Sequence, residues 1–179
     1  MNITGGIYNR QKIAAPDESI TRPTLSKIRM SVFNMLSSLT GFEDKSFLDM
    51  FAGSGIMGLE AISRGFGSLV SIEKNKRANN IIKSNFSKYE KHHDIKLLYG
   101  DSLKIAPKSG KKFDVIYIDP PYFSGVYESS LAAIKDISND IAILEHVTDV
   151  EIPPYFEIIK QKKYGEKFVT FLRYNNIRS

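Results

Sequence analysis

The chain has 179 residues, enough for one domain with a substantial core and too few for two ordinary domains. It contains no cysteine, which excludes a disulfide framework, a thiolate metal site and a cysteine nucleophile. Its three histidines lack metal-ligand spacing, and no apolar run has the length of a signal-peptide core or a membrane span. We therefore expect a cytoplasmic protein that uses neither a metal nor a membrane.

Positive charge is concentrated at the two ends of the chain. The net charge is +5, with five basic against two acidic residues in the first 35 and six against two in the last 25. Basic surfaces around a nearly neutral middle suit a polyanionic partner such as nucleic acid. A lysine-rich composition that serves only solubility explains the charge equally well.

The first 45 residues differ in pattern from the rest. Gly5–Tyr8 and Lys12–Ala14 alternate weakly, as in a small β-ribbon, and Ser26–Leu39 carries apolar residues on one helical face. We interpret residues 1–45 as an appendage that packs on a larger domain at 46–179, so that 1–179 form a single unit.

From Phe47 onward, short apolar runs alternate with helical patterns, which predicts a parallel sheet with crossover helices. A hairpin with its turn at Lys162–Glu166 adds an antiparallel edge. The predicted fold is therefore α/β, with a seven-stranded, mainly parallel sheet, an antiparallel C-terminal hairpin and a small N-terminal β-ribbon and helix; this is the architecture of class I methyltransferases. The predicted strands are Phe47–Phe51, Ser68–Glu73, Ile95–Tyr99, Phe113–Asp119, Ala142–Val147, Tyr155–Gln161 and Lys167–Tyr174, and the predicted helices of the sheet domain are Ile56–Arg64, Asn75–Tyr89 and Val126–Asp136.

A glycine-rich segment, Asp49–Gly58, follows the first strand of the sheet and opens its first helix. Gly53, Gly55 and Gly58 satisfy a G-x-G-x-x-G pattern, and Glu73 stands at the end of the second strand. By itself this pattern also fits a dinucleotide site, where the glycines admit a pyrophosphate and the acid binds ribose hydroxyls.

Two further acids favour a methyl donor over a dinucleotide. Asp49 lies just ahead of the turn, where it would repel a pyrophosphate but hold the ammonium of a methionine moiety. Asp101 follows the third strand, where an acid can accept a hydrogen bond from the adenine amine. Glu73 and Asp101 also fit plainer roles, as a helix-start acid and a turn acid. This series of acids and glycines on successive strands resembles the S-adenosylmethionine site of class I methyltransferases. The resemblance predicts a cofactor site that comprises Asp49, Phe51, Ala52, Gly53, Ser54, Gly55, Gly58, Glu73, Lys74, Asp101, Ser102 and Asp119.

Asp119-Pro120-Pro121-Tyr122 ends the fourth strand of the sheet and is the pattern typical of amino-methyltransferases. Proline lacks the N–H that strand pairing needs, so backbone carbonyls are left free beside a carboxylate and a flat ring. Accepting the two hydrogens of an exocyclic amine on Asp119 and the Pro120 carbonyl would free the nitrogen lone pair, while Tyr122 stacks the base. These four residues are the predicted catalytic set; adenine N6, cytosine N4 and guanine N2 all remain open as targets.

Beyond these shared motifs, the chain resembles the bacterial 16S ribosomal RNA guanine-N2 methyltransferases of the RsmD type. The specific matches are in the N-terminal part, and the resemblance is thinner in the C-terminal third, where Ile137–Glu151 leaves little room for a helix before the fifth strand. The matching residues are Gly5-Gly6-Ile7-Tyr8 with Arg10 and Lys12, Thr21-Arg22-Pro23-Thr24, Arg29 with Phe33-Asn34, Asp49–Gly58 with Leu59-Glu60-Ala61, Ser63-Arg64-Gly65, and Asp119–Tyr122.

The resemblance implies methylation of guanine N2 in 16S rRNA. We expect the substrate to be an assembling 30S particle and the protein to be a monomer. The resemblance also implies that Arg10, Lys12 and Arg22 grip RNA, with Arg22 alternatively reaching the cofactor carboxylate. A DNA or RNA adenine-N6 or cytosine-N4 methyltransferase is the main alternative, although a duplex-DNA enzyme usually needs a recognition domain for which this chain has no room. A dinucleotide oxidoreductase and a non-catalytic RNA-binding module are the alternatives from other classes.

Overall fold

The computed structural model describes residues 1–16, 26–121 and 125–175, and in these ranges a seven-stranded sheet is covered by helices on both faces. The bounds are α1 Ser26–Leu39, β1 Ser46–Asp49, α2 Ile56–Ser63, β2 Ser68–Glu73, α3 Lys76–Phe86, β3 Asp94–Tyr99, α4 Ser102–Ile105 with a 3₁₀ turn at Ala106–Lys108, β4 Phe113–Ile118, α5 Val126–Ile134, β5 Ser138–His146, β6 Phe156–Tyr164 and β7 Lys167–Tyr174.

The strand order across the sheet is β3-β2-β1-β4-β5-β7-β6, with β1 to β5 parallel and β7 antiparallel to both of its neighbours. The predicted fold class is thereby confirmed. The order reverses between β1 and β4, and a crevice forms outside the carboxyl ends of the strands at such a reversal. The residues that follow β1, β2 and β4 therefore meet at one edge of the sheet.

The fifth strand is longer at its start than predicted, beginning at Ser138 instead of Ala142. Ile137–Glu151 holds no helix, as expected, and the crossover before the fifth strand is α5, the helix predicted at Val126–Asp136, which ends at Ile134. Ser138 is buried, and its hydroxyl donates to the Ile134 carbonyl at 2.9 Å. The polar start of β5 is tolerated because pairing with β4 and this bond satisfy its polar groups, and no apolar pattern marks it.

The observed bounds of other elements differ from the predicted ones by a few residues. Helix α3 begins one residue later than predicted because Asn75 is its N-cap, accepting from the N–H groups of Arg77 and Ala78 at 3.0 and 3.1 Å. Strand β6 continues to Tyr164, so Gly165 and Glu166 alone form the hairpin turn. Gly165 has φ +61°, which explains the glycine in so tight a turn.

The N-terminal ribbon exists, but its paired residues differ from those predicted. Asn2 pairs with Lys12, and the flanking residues Ile3 and Ile13 are buried against the sheet domain. Gly5–Tyr8 was predicted as one half of the ribbon; it forms part of the connecting turn instead.

That turn lies on the C-terminal end of α2. The backbone N–H of Ile7 donates to the Ser63 carbonyl at 2.8 Å, and the Ser63 hydroxyl donates to the Gly5 carbonyl at 2.6 Å. A Cβ atom on Gly6, whose φ is +76°, would lie 1.8 Å from the Ser63 carbonyl oxygen. The glycine pair therefore permits close docking of the ribbon on α2, the helix that the glycine-rich loop opens.

A buried carboxylate, Glu60, also stabilises the interface between the ribbon and α2. Glu60 is fully buried and accepts from the backbone N–H and hydroxyl of Thr4 at 2.9 and 2.8 Å. It also pairs with Arg29 at 3.2 Å and with Arg64. Arg29, one of the residues that carry the family resemblance, is thus a buried link between α1, the ribbon and α2 rather than a surface cation.

Candidate cofactor and acceptor site

A cavity of about 440 Å³ lies at the edge where β1, β2 and β4 end, a size typical of small-molecule sites. Its lining includes eleven of the residues predicted for the cofactor or the acceptor: Asp49, Phe51, Ala52, Gly53, Ser54, Glu73, Lys74, Ser102, Asp119, Pro120 and Pro121. Ile56, Met57, Ile72, Asn75, Tyr117 and Lys167 complete it. Gly55, Gly58 and Asp101 do not line this cavity, and Tyr122 and Arg22 lie outside the described residues.

The glycine-rich loop is held in a tight turn by its own backbone and by close packing. The Gly55 N–H donates to the Ala52 carbonyl at 2.7 Å, and Gly55 has φ +77° with Phe86 2.9 Å from the position of a Cβ atom. A Cβ on Gly58 would meet the Leu69 side chain at 2.8 Å. Gly55 and Gly58 thus serve loop geometry and helix packing, while Gly53 and Ser54 line the cavity.

Glu73 connects the end of β2 to the glycine-rich loop. Its Oε2 accepts from the Gly53 N–H at 2.8 Å and its Oε1 from the Asn75 N–H at 2.6 Å. The second contact is the helix-start role considered from the sequence, since Asn75 caps α3. Each oxygen of a carboxylate can accept more than one hydrogen bond, so both oxygens of Glu73 can accept a further bond from a ligand in the cavity.

Asp49 is a buried acid whose carboxyl oxygens have no hydrogen-bond partner of normal geometry among the described residues. Its side chain is 1% exposed. Burial raises the pKa of Asp49 to about 8; the nearby Gly58 backbone N–H opposes the shift, and Glu73 and Asp119 add to it. A buried carboxyl left without a partner indicates that a bound group completes this end of the cavity.

Asp101 and Ser102 were both predicted to bind the cofactor, but Ser102 lines the cavity and Asp101 does not. Asp101 is the N-cap of α4, where its Oδ1 accepts from the Leu103 N–H at 3.0 Å, and its side chain is exposed. Ser102 is buried, lines the cavity and donates its hydroxyl to the Met50 carbonyl. The turn-acid role therefore accounts for the observed Asp101 contact, and an adenine contact stays a prediction.

The acceptor motif lines the same cavity and follows β4, which β1 separates from the strand that ends at Glu73. Asp119, Pro120 and Pro121 follow β4, and the ammonium of Lys167 lies 3.2 and 3.3 Å from the two carboxylate oxygens of Asp119. The same ammonium contacts the Glu145 carboxylate, which also accepts from the Tyr117 hydroxyl.

Sequence patterns did not identify Lys167, Glu145 or Tyr117 as site residues. One signal was present: Glu145 directly follows the apolar residues Ala142–Leu144 within the predicted strand, and a charge inside a buried strand requires a partner. No such signal pointed to Lys167, which reaches the site because β7 runs against the other strands and begins where they end.

Of the predicted RNA contacts, Arg10 and Lys12 lie on the ribbon and do not line the cavity. Arg10 and Lys12 are exposed and make no ion pair with a described residue, and Arg10 has a left-handed φ of +68° in the connecting turn.

The lining suits a cationic ligand better than an anionic one. Asp49, Glu73 and Asp119 contribute three carboxyl groups, and of the two lysines in the lining Lys167 is already paired with acids. S-adenosylmethionine carries an ammonium and a sulfonium, whereas a dinucleotide carries a pyrophosphate that these acids would repel. The residues present therefore fit the methyl donor.

The reversed strand order, with the glycine-rich loop and the proline motif at one edge of the sheet, defines the class of this protein: its fold is that of a class I methyltransferase. A model of the family described as "Conserved hypothetical protein 95" matches residues 1–173, so the chain belongs to that family.

Curated relatives and a solved structure agree with this assignment. Ribosomal RNA small subunit methyltransferase D of Escherichia coli K12 is 26% identical over 173 residues, covering 93% of this chain and 86% of that protein. The protein of that name from Buchnera aphidicola of Acyrthosiphon pisum is 32% identical over 137 residues, covering 75% and 69%. The structure of a hypothetical protein from Thermus thermophilus has a TM-score of 0.78 at 27% identity, covering 96% of this chain and 98% of that one. The resemblance to the RsmD type drawn from the sequence is confirmed.

Within residues 1–16, 26–121 and 125–175, no group of three or more His, Asp or Glu side chains is arranged to hold a metal ion. In the same ranges no helix is long and apolar enough to cross a membrane.

Proposed function

We propose that this protein transfers a methyl group from S-adenosylmethionine to the exocyclic N2 amine of a guanine in 16S ribosomal RNA. The observation that carries the proposal is that Asp119-Pro120-Pro121 line the same cavity as the loop-bound Glu73 and as Asp49, which is buried without a hydrogen-bond partner among the described residues. The relatives named as small-subunit rRNA methyltransferases support the choice of polymer.

The cofactor is assigned to the wall formed by the ends of β1 and β2. Asp49 would pair with the ammonium of the methionine moiety, and Glu73 would accept from the ribose hydroxyls while the Gly53 N–H holds its carboxylate. Phe51, Ala52, Ser54, Lys74 and Ser102 line the space between, and the bound cofactor would supply an electrophilic methyl group.

The acceptor amine is assigned to the Asp119 side of the cavity. An aromatic amine is a poor nucleophile because its lone pair is delocalised into the ring. Asp119 and the Pro120 carbonyl would accept its two hydrogens and favour a tetrahedral nitrogen, so that acceleration comes from positioning and oriented dipoles. Tyr122 is the proposed stacking partner of the base, which must leave any stack to enter.

The choice of guanine N2 rests on family membership, and the same motif suits adenine N6 and cytosine N4. RNA is favoured because a structured RNA can present its base by shape, without a recognition domain that reads a duplex groove. We assign RNA contacts to Arg10, Lys12 and Arg22 in the appendage of residues 1–45 and catalysis to residues 46–179. A monomer that acts in the cytoplasm on an assembling 30S particle completes the proposal.

Labelling with tritiated S-adenosylmethionine tests the proposal directly. Purified protein is incubated with 16S rRNA, with 30S particles lacking the modification and with duplex DNA, and the labelled nucleosides are separated by mass. We expect N2-methylguanosine from the ribosomal substrates and no label in DNA. N6-methyladenine or N4-methylcytosine would assign the alternative base, and labelled DNA the alternative polymer.

A binding measurement separates this proposal from the other classes. Calorimetry should detect binding of S-adenosylhomocysteine and no binding of NAD. Binding of NAD without binding of S-adenosylhomocysteine would indicate an oxidoreductase. RNA binding without methyl transfer to any of the three substrates would indicate a binding module.

A further inference from the structure

The ammonium of Lys167 lies across both oxygens of the Asp119 carboxylate, at 3.2 and 3.3 Å, and contacts the Glu145 carboxylate from its other side. The Lys167 and Asp119 side chains are 16% and 17% exposed, and Glu145 is fully buried. A charged group in such surroundings is costly without a matched partner, so each of the three depends on the others.

The topology of the sheet explains why the lysine comes from the start of β7. Strands β4 and β5 run parallel and end at the cavity, whereas β7 pairs antiparallel with β5 and therefore begins there. The tight turn at Gly165 and Glu166 places Lys167 at this edge as the first residue of the strand. Tyr117 on β4 fixes the Glu145 carboxylate through its hydroxyl, and Glu145 in turn holds the ammonium.

The charge arrangement gives this lysine a chemical role in addition to a packing role. Asp49, Glu73 and Asp119 all line the cavity, and the negative charges of Glu73 and Asp119 contribute to the raised pKa of Asp49. An acceptor amine needs an ionised Asp119, because a protonated carboxyl has lost part of its accepting capacity. Lys167 contacts both carboxylate oxygens of Asp119 and so stabilises the ionised form, which is the form that accepts amine hydrogens.

We propose that Lys167 is a positioning residue for methyl transfer: held by Glu145 and Tyr117, it keeps the Asp119 carboxylate ionised and turned toward the acceptor amine. The inference rests on the proposed function for the identity of the acceptor. Lys167 itself touches neither cofactor nor substrate in this role and acts through Asp119.

The test is a double-mutant cycle on the single-turnover rate of methyl transfer, using Lys167→Met, Asp119→Asn and both together in the full-length protein. If Lys167 acts through Asp119, Lys167→Met slows transfer roughly 100-fold in the parent protein and changes the rate less than about threefold in the Asp119→Asn protein. Equal loss in both backgrounds would overturn the proposal, as would a Lys167→Met rate within about threefold of the parent rate.

The pH profile provides a second readout that a purely structural role would not move. In Lys167→Met the positive charge beside Asp119 is gone, so Asp119 should protonate more readily. The acid limb of the pH–rate profile should therefore lie at higher pH in this variant than in the parent protein. Lys167→Arg keeps the charge, so its acid limb should coincide with that of the parent; this variant carries the test if the methionine variant fails to fold. An arginine variant whose acid limb shifts, or a methionine variant whose limb does not, would contradict the proposal.

Two controls separate this inference from the proposed function. Lys112→Met removes an exposed lysine just before β4, at the opposite end of the strand from the cavity, and should leave rate and pH profile unchanged. Affinity for S-adenosylhomocysteine should change less than about threefold in Lys167→Met, because the cofactor ammonium and ribose are assigned to Asp49 and Glu73, whereas the ion pairs of Lys167 are with Asp119 and Glu145. The parent protein is first assayed on rRNA and DNA: absence of label in guanine defeats the proposed function, whereas the cycle runs on whichever nucleic acid accepts methyl.

Discussion

The backbone N–H of Gly53 donates a 2.8 Å hydrogen bond to Oε2 of Glu73, so the end of β2 fixes the glycine-rich loop that follows β1. The other oxygen of Glu73 accepts from the Asn75 N–H at the start of α3. One carboxylate therefore sets the shape of the loop, the start of a helix and one wall of the cavity. Its proposed ligand-binding role and its structural role respond differently to substitution.

We predict that Glu73→Gln raises the dissociation constant for S-adenosylhomocysteine roughly 10- to 100-fold, measured by calorimetry. The amide has one accepting oxygen, so one of the two backbone N–H groups loses a charge-assisted bond and the ribose loses an ionised acceptor. Asp94→Asn changes an exposed acid at the amino end of β3 and should leave the constant unchanged. Parent-like affinity in Glu73→Gln would show that Glu73 serves only the loop.

Cofactor affinity should depend on pH through Asp49. Because the pKa of Asp49 is about 8 in the free protein, the acid is mostly protonated at neutral pH and must ionise to pair with the ammonium of the ligand. Affinity should therefore rise by up to about tenfold per pH unit below that value, until the amino group of the ligand itself titrates. Calorimetry in buffers of different ionisation enthalpy should also detect release of about one proton on binding at neutral pH.

Asp49→Asn should weaken binding and remove both the pH slope and the proton release. The same substitution tests the stability of the free protein. A carboxyl whose pKa is raised on folding makes the folded state bind the extra proton between its ordinary value and about 8, so the free energy of unfolding falls as pH rises through that window. The slope should be at most about 1.4 kcal/mol per pH unit and absent in Asp49→Asn. An unchanged slope would remove Asp49 as its source.

Asp119→Asn should reduce the single-turnover rate of methyl transfer at least roughly 100-fold while changing the affinity for S-adenosylhomocysteine little. The amide offers fewer acceptor positions, and its NH2 group would face the ammonium of Lys167. Rapid-quench assays with saturating cofactor measure the rate. Substantial residual transfer would assign the amine hydrogens to other acceptors.

Glu60→Gln should lower the free energy of unfolding by about 3–5 kcal/mol, because it removes the charge from a fully buried acid paired with Arg29 and Arg64. Urea denaturation measures the loss, and Glu43→Gln, at an exposed position, should have little effect. Amide exchange should also accelerate at Thr4, whose N–H donates to Glu60. Unchanged stability would mean that the ribbon is held by its other contacts.

RNA affinity should fall steeply with salt, and the ribbon should account for part of the slope. Each phosphate interaction that Arg10→Ala or Lys12→Ala removes should reduce the slope of log affinity against log salt by about 0.7–0.9. Filter binding to 16S rRNA from low to moderate salt gives the slopes, with Lys112→Ala as the matched exposed control. If both ribbon variants had unaltered slopes, Arg10 and Lys12 would not contact RNA phosphates, and the RNA-binding surface would lie on another part of the protein.

Much of the fold was predictable because its signals are local. Apolar runs of strand length alternating with helical patterns predicted the sheet, and α1 has the predicted bounds Ser26–Leu39. Errors occurred where polar residues take part in pairing, as at the start of β5, or where glycines serve docking, as at Gly5 and Gly6. Their conformations depend on the Ser63 carbonyl and on β4, which lie far away in the chain.

The sequence by itself determined the chemistry that this protein offers: an acid before a glycine-rich turn, an acid at the end of the next strand, and an acid followed by two prolines. These motifs are read from neighbouring residues and from strand ends that a parallel sheet must bring to one edge. Only the tertiary structure decided which groups share the cavity and in what state. It left Asp49 buried without a hydrogen-bond partner among the described residues and brought Lys167 to Asp119 from a strand that runs the opposite way. Burial and pairing between distant residues set these features, and no local pattern encodes them.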